Sequence, residues 1–549
     1  MSKISIWLVF MFTCFYYDSL SIGIVPKPNF IIHKSGDYEV SEATKLVYSI
    51  ALSKEAKYFL DILRNEFGLS LEEKITNPAI NETGIVIEMD ASQMSELGDE
   101  GYNLMINKDG VFITGATTNG VFYGLQSLRQ LFQKGMYSSD KFVGTYKLPR
   151  VEIRDKPRFA WRSFMLDVSR HFYDTSVIKK LLDEMALLKM NVFHWHLTDD
   201  QGWRVPISKY PKLISIASKR DSSQISFYKN EEGENVFEFD GKPHQGYYSH
   251  EDILMIIKYA EERRIQVIPE IDMPSHNQAA MAAYPWLSTT QVTSKVPTVF
   301  FGEPYYRNPA EVNIADPKVV QFFRDVLDEI IELFPSDIIH IGGDEVWYNL
   351  WAESIEINEF MEENGFQNYA DLQMWFTSEM SEYLAKKGKR MMGWNDILGG
   401  HLDENDLNNK MSVNFRPVPG TIIGFWRGDV PLMNEVAMQG YDIINGINSF
   451  TYFNSDYAGL PLEKAYSFEP VPTDIDLQNV DQIKGVACHL WTELIPNRET
   501  LYAQLFPRIA ATAEVGWTEK SNKSFDDFKK GLETLLVHWT NRGITWKTE

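Results

Sequence analysis

Residues 162–204 read RSFMLDVSRHFYDTSVIKKLLDEMALLKMNVFHWHLTDDQGWR, and the order of apolar and polar residues in that stretch decides the fold. Phe164 to Val168 is a short apolar run, Val177 to Lys189 carries apolar residues at helical spacing, and Val192 to His196 is a second short run. Two such runs with a helix between them predict a strand, a crossover helix and a second strand beside the first.

The unit recurs outward from there. Short apolar runs follow at Val267 to Glu270, Ile338 to Gly342, Met391 to Trp394, Ile422 to Trp426, Ile443 to Asn448 and Val486 to Trp491. Helical stretches fall between them, at His250 to Glu262, Val319 to Leu333, Leu372 to Lys387 and Leu501 to Glu514. Such a series predicts a (β/α)8 TIM barrel, of class α/β, over residues 151–549. Residues 24–150 instead mix short apolar runs with helical stretches at Ala43 to Phe67 and Gly120 to Phe132, which predicts a small α+β domain ahead of the barrel.

A barrel of this kind carries its chemistry at the carboxyl ends of its strands. Polar and aromatic residues gather where the apolar runs end: Asp167, His196 to Asp200, Glu270 with Asp272 and His276, Asp344 with Glu345, Trp394, Trp426, Tyr452, and Trp491 with Glu493. The sharpest motif is HIGGDEVW at His340 to Trp347, where two glycines allow close approach at a strand end and two carboxylates follow at once. Neighbours on an extended chain point to opposite sides, so Asp344 and Glu345 do not face each other across a scissile bond as an ordinary glycosidase pair does. One carboxyl can serve as an acid; the other needs a different task.

Composition narrows the partners. A length of 549 residues suits a barrel with a smaller companion domain. Aromatics make up 13% of the chain, with 14 Trp, 26 Tyr and 33 Phe, and supply flat surfaces of the kind on which sugars stack. A net charge of -23 argues against nucleic acid or an anionic membrane as partner. At the start, Lys3 precedes the apolar stretch Ile4 to Tyr17 and then Ser19, Ser21 and Gly23, which predicts a cleaved signal peptide over residues 1–23 and a secreted or periplasmic protein. The stretch is short for a spanning helix, and no later segment is long enough to be one. Of the 2 Cys, Cys14 lies in this leader, so Cys488 would remain without a disulfide partner, as suits a bacterial periplasm or exterior more than an animal secretory pathway.

Several long motifs stand in the order of one family. They are RFAWR at Arg158 to Arg162, LDVSRH at Leu166 to His171, NVFHWHLTDDQGWR at Asn191 to Arg204, VIPEIDMPSH at Val267 to His276, and GGDEVW at Gly342 to Trp347. On these the chain resembles glycoside hydrolase family 20, the β-N-acetylhexosaminidases, and the small leading domain resembles that family's non-catalytic N-terminal domain. The resemblance implies exo-acting, retaining removal of terminal N-acetyl-hexosamine from glycans, with N-acetyl-glucosamine and N-acetyl-galactosamine both open. The substrate's 2-acetamido oxygen would attack the anomeric carbon to form an oxazolinium-like intermediate.

It also implies roles. Glu345 would protonate the leaving oxygen and then activate water, and Asp344 would orient the acetamido nitrogen. Tyr452 would bond the acetamido oxygen, and His276 would stand between Asp199 and Glu345. Trp394, Trp426 and Trp491 would wall the pocket, Glu493 would bond the outer hydroxyls, and Arg162 would grip the same sugar. Where the family continues Tyr-Leu-Asp, this chain reads Tyr452-Phe453-Asn454, so Asn454 offers an amide in place of a carboxylate and bears on gluco against galacto preference. No metal or cofactor is expected. Two other classes of reading start from the same residues: a metal-dependent amidohydrolase built on His194-Trp195-His196, whose further ligands are incomplete, and a glycan-binding barrel that has lost catalysis although its acid motif is whole. Within the family, a lacto-N-biosidase-like specificity is the alternative to release of single sugars.

Overall fold

The computed structural model describes residues 23–78, 82–137, 144–291, 295–301, 310–399 and 415–547. The expected leader therefore lies outside the described residues except for Gly23. Among the described residues no helix is long and apolar enough to cross a membrane.

The first domain is a sheet of β1 (Phe30–Ser41), β2 (Lys45–Tyr48), β3 (Glu72–Ile75), β4 (Gly84–Met89), β5 (Tyr102–Ile106), β6 (Gly110–Gly115) and β7 (Thr145–Asp155). Its order is β1-β7-β5-β6-β4-β2-β3, with helices Ser53–Phe67 and Thr118–Tyr137 packed on it. The alternation in β6 buries Val111 and Ile113 towards those helices. The turn from β6 into the second helix needs its glycines, because a Cβ at Gly115 would lie 2.5 Å from the Val121 nitrogen and one at Gly120 only 2.2 Å from the Gly101 carbonyl oxygen. β7 continues to Asp155, past the boundary expected at 150, because its pairing with β5 runs to Tyr102 opposite Asp155.

Eight parallel strands close the expected barrel: Trp161–Asp167, Val192–His196, Gln266–Glu270, Ile338–His340, Arg390–Trp394, Ile422–Phe425, Asp442–Asn445 and Ile483–Leu490. The last pairs with the first, Leu490 opposite Leu166. The crossover after the first strand is the helix Thr175–Leu187; the Asp174 carboxylate caps it by accepting from the Ser176 and Val177 nitrogens, and Val177, Ile178, Leu181, Leu182 and Met185 form its buried face. The fourth strand stops at His340, two residues short of the expected Gly342, because Gly342 and Gly343 take φ of 65° and 91° and end the ladder.

Alternate residues of each strand fill the interior in layers. Val192, Ile268, Ile338, Met392, Ile422, Ile444 and Ala487 make an apolar plug, capped by Trp161. Two residues further along the strands, His194, Glu270, His340, Trp394 and His489 form a buried polar layer. From that level towards the carboxyl ends, Met165, Trp394, Trp426 and Trp491 pack together with Tyr452.

Arg162, expected at the sugar, lies at the opposite end. It occupies the second position of the first strand, is wholly buried, and gives Nη1 and Nη2 to Glu100 of the leading domain at 2.9 and 2.8 Å. Asp167 at the strand's far end stands five residues on, or about 16 Å at strand rise. Arg162 is thus a joint between the two domains. Lys189 Nζ and Trp517 Nε1 reinforce it, reaching Asp155 Oδ2 at 3.2 and 2.8 Å.

Candidate active site

The polar layer has Glu270 at its centre. Its carboxylate meets His196 Nδ1 at 2.6 Å, His194 Nε2 at 2.8 Å and His340 Nδ1 at 3.1 Å, and accepts from Trp394 Nε1 at 2.9 Å. Burial alone would push this carboxyl up, but the charges of His196, His340 and His194 outweigh it and hold the group well below the usual range. His196 is driven the other way. Burial disfavours its charge, yet Glu270 on Nδ1 and Asp199 on Nε2, at 2.8 Å, raise it well above an ordinary imidazole. Both His196 nitrogens are thus held by carboxylates, Nδ1 by Glu270 and Nε2 by Asp199.

Above this layer the chain turns sharply. Glu345 and His276 both adopt left-handed backbone, with φ of 49° and 53°, a conformation non-glycine residues hold only where surrounding contacts enforce it. The expectation of an extended Asp344-Glu345 pair is corrected here: glycines 342 and 343 and the left-handed Glu345 coil the segment. The result still separates the two carboxyls. Asp344 is 8% exposed, whereas the Glu345 side chain is 36% exposed at the pocket rim. Gly342 is irreplaceable on a second ground, since a Cβ there would meet Asp272 Oδ1 at 2.1 Å, the oxygen that accepts from the Gly343 nitrogen at 3.1 Å.

The carboxyls also differ in proton affinity. Burial raises Asp344 first; His276 opposes this, while Glu345, Asp396 and Glu270 add to it, and the group is pushed up to about 8. Burial would raise Glu345 as well, but the His276 contact and the positive charges of His276, Arg170 and Arg427 hold it below its usual value. Their surroundings thus favour the protonated form of Asp344 and the anion of Glu345.

His276 stands beside Glu345, with Nε2 3.6 Å from Oε2. Its nearer partner on the other side is Asp200, at 3.0 Å from Nδ1, while Asp199 lies at 3.5 Å. The expected Asp199 relay is therefore corrected to Asp200. Thr198 and Asp199 pair with Trp203 and Gly202 in a short hairpin, where successive side chains diverge. Asp199 goes to His196 Nε2 and Arg170 Nη1, both at 2.8 Å, and Asp200 to His276.

The walls are aromatic. Tyr452 and Trp426 stack at 5.9 Å with 13° between their planes, and Trp491 lies 5.9 Å from Trp394 and 6.1 Å from Tyr452. Trp426 is oriented by Asp396, whose Oδ2 accepts from its Nε1 at 2.8 Å, which gives a place to the Asp396 that follows the fifth strand. Burial and the nearby charges of Asp344, Glu345 and Asp396 keep the Tyr452 hydroxyl protonated, its pKa well above 10. Glu493 is pushed up to about 7, by burial and Asp167 against the opposing Arg170. Asp344 Oδ1 and Asn454 Oδ1 are buried without a partner among the described residues, so the pocket keeps acceptor atoms unspent for a ligand.

Arg170 is the cation that sequence reasoning missed. It stands on Trp491, its guanidinium carbon 5.1 Å from the ring centroid, and joins Asp199 at 2.8 Å and Asp167 at 3.4 Å. The rule that chemistry follows the carboxyl end of a strand would have picked it, three residues after Asp167, over Arg162 at the amino end.

Carboxyls of unequal proton affinity beside stacked aromatics, at the carboxyl face of a (β/α)8 barrel, define a glycoside hydrolase site. The chain belongs to glycosyl hydrolase family 20: the model of that family's catalytic domain matches residues 159–520, and that of its domain 2 matches residues 21–156. A beta-hexosaminidase of Porphyromonas gingivalis is 34% identical over an alignment of 544 residues that covers 96% of this chain and 65% of that protein, so the chain spans under two thirds of that relative's length. A beta-hexosaminidase of Vibrio furnissii is 30% identical over 92% of this chain and 78% of its own. Among solved structures, the exo beta-N-acetylglucosaminidase of Vibrio harveyi in complex with N-acetylglucosamine aligns with a TM-score of 0.79 at 29% identity, covering 96% of this chain and 78% of that one. The beta-N-acetylhexosaminidase of Bacteroides fragilis aligns at 0.74 and 29%, covering 95% and 96%.

Proposed function

We propose that this glycoside hydrolase is an exo-acting β-N-acetylhexosaminidase that works by substrate-assisted retention. The observation that carries the reading is the unequal placing of two adjacent acids. Asp344 is buried near Tyr452 with an oxygen unspent, and Glu345 is the more exposed of the two, beside His276. An acetamido group fits the inner position. Its N–H would donate to Asp344, its carbonyl oxygen would accept from the Tyr452 hydroxyl, and its methyl would meet the indoles.

Binding then moves the shared proton. The N–H donor stabilises the Asp344 anion, and the arriving sugar strips water from Glu345, so the proton passes to Glu345, where the glycosidic oxygen needs it. The acetamido oxygen attacks the anomeric carbon as the C–O bond to the leaving group breaks and Glu345 protonates that group. Asp344 faces the nitrogen as positive charge spreads onto it. Water, deprotonated by Glu345, opens the oxazolinium ion and restores the starting configuration. Arg170 and Glu493 at the pocket's side would hold the outer hydroxyls.

The test pairs release with inhibition. The purified protein should release p-nitrophenol from its N-acetyl-β-glucosaminide, and a thiazoline mimic of the bicyclic intermediate should block it far below the substrate's KM. Release that is indifferent to the thiazoline would remove the acetamido group from the mechanism. Release only from a terminal disaccharide glycoside would move the specificity to lacto-N-biosidase.

A further inference from the structure

We propose that Glu311 is a positioning residue that holds Glu345 against His276, by tying the loop of the acid to the stretch of chain that also carries the loop of the histidine. This rests on the reading of Glu345 as the proton donor. Both residues sit on left-handed backbone, with φ of 49° and 53°, which non-glycine residues keep only where contacts around them enforce it. Contacts that flank the two residues converge on residues 310–312. On the histidine side the main chain makes them: the Ala310 carbonyl oxygen accepts from the Asn277 nitrogen at 3.2 Å, and the Val312 nitrogen donates to the Pro274 carbonyl oxygen at 3.0 Å. Those partners stand one residue after His276 and two before it.

On the acid side, Glu311 Oε1 accepts from the Trp347 nitrogen at 3.1 Å, and the Val312 carbonyl oxygen accepts from Trp351 Nε1 at 2.9 Å. Glu311 is 3% exposed; burial raises its carboxyl, and the backbone N–H groups of Glu311, Ala310 and Trp347 oppose that rise. A buried carboxylate turned to its own main chain as well as to Trp347 has little room to swing, so it passes the placing of residues 310–312 on to the loop. Glu345 is bracketed in this way. Asp272 Oδ1 accepts from the Gly343 nitrogen at 3.1 Å two residues upstream, and Glu311 takes the Trp347 nitrogen two residues downstream, while the Ser275 hydroxyl adds a link to the Glu345 carbonyl oxygen at 3.4 Å. The upstream clamp adjoins Asp344. Loss of the downstream one should therefore fall on Glu345 and on its 3.6 Å approach to His276 Nε2.

The test compares kcat/KM of the full chain on two N-acetyl-β-glucosaminides, phenyl and 2,4-dinitrophenyl, of which only the first needs a proton on its leaving oxygen. Glu311→Leu removes the acceptor. It should lower kcat/KM about ten-fold on the phenyl glycoside, the order of one hydrogen bond to a charged group, and leave the dinitrophenyl glycoside within about three-fold. Glu311→Gln keeps an acceptor oxygen at the same reach and should hold both substrates within about three-fold of the parent protein. Because both substrates are read on one sample, their ratio does not depend on the folded fraction. Glu311→Asp keeps the charge but shortens the reach by one methylene; it should share the selective loss, and it replaces Glu311→Leu in the comparison if that variant does not fold. Equal losses on both substrates, no loss, or a Glu311→Gln variant as selective as Glu311→Leu would overturn the proposal, as would failure of both Glu311→Leu and Glu311→Asp to fold. The reading of the acid fails separately: equal losses in Glu345→Gln itself would remove Glu345 as proton donor, whereas a selective Glu345→Gln beside an unselective Glu311→Leu overturns this inference alone.

Discussion

At the scale of single residues the site divides labour between groups that sequence alone treats as alike. Glu345→Gln should depress turnover of glycosides with poor leaving groups by about 10²–10⁴-fold, yet spare activated ones such as the 2,4-dinitrophenyl glycoside, because only the former need a proton. Equal losses measured across a leaving-group series would count against Glu345 as the acid. The two arginines should part in the same way. Arg170→Ala should raise KM as well as lower stability, because it strips the cation from buried Asp167 and Asp199, while Arg162→Ala breaks a buried pair with Glu100 and should cost about 3–5 kcal/mol in urea unfolding with KM unchanged in the folded fraction. Proton bookkeeping adds a third expectation. Burial and the acids around it push Asp344 up to about 8, so raising pH through that value removes its proton. kcat/KM should therefore fall on the alkaline side near that value, and Asp344→Asn should abolish that limb along with most of the activity; a limb that survives the substitution belongs to another group.

At the scale of elements, the turn after the fourth barrel strand does the most with the fewest residues. Gly342→Ala must fit a Cβ at φ 65° against Asp272 Oδ1 2.1 Å away, so it should displace the acid loop and abolish activity, with a loss of stability in the same unfolding assay. An active, equally stable variant would show the loop to be more yielding than its geometry. The motif HIGGDEVW was legible because glycines at a strand end announce close approach. Its conformation was not: the extended reading of Asp344-Glu345 ignored that two glycines permit positive φ, and an adjoining Glu345 at φ 49° has no signature in sequence. The same limit misplaced the relay, since Asp199 and Asp200 differ only in which way a two-residue hairpin turns them.

At the scale of the whole molecule, the barrel was readable because each strand repeats one pattern, an apolar run that ends in polar residues. The crossings between distant strands were not. Glu270 gathers His194 and His196 from the second barrel strand, His340 from the fourth and Trp394 from the fifth, and no local spacing shows that these will share one carboxylate. The joint between domains was likewise invisible, since Glu100 and Arg162 are linked by nothing in the sequence. The pairing of Asp155 with Lys189 and Trp517 inside the same joint gives the two domains a common buried polar core.

The claim on which the mechanism turns is that the substrate's own amide is the nucleophile. The most direct measurement is kcat/KM for aryl glycosides whose acetamido group carries none, one, two or three fluorines, each of which weakens the carbonyl oxygen as a nucleophile. The account predicts a steep fall through the series, and little or no dependence on fluorination would contradict it.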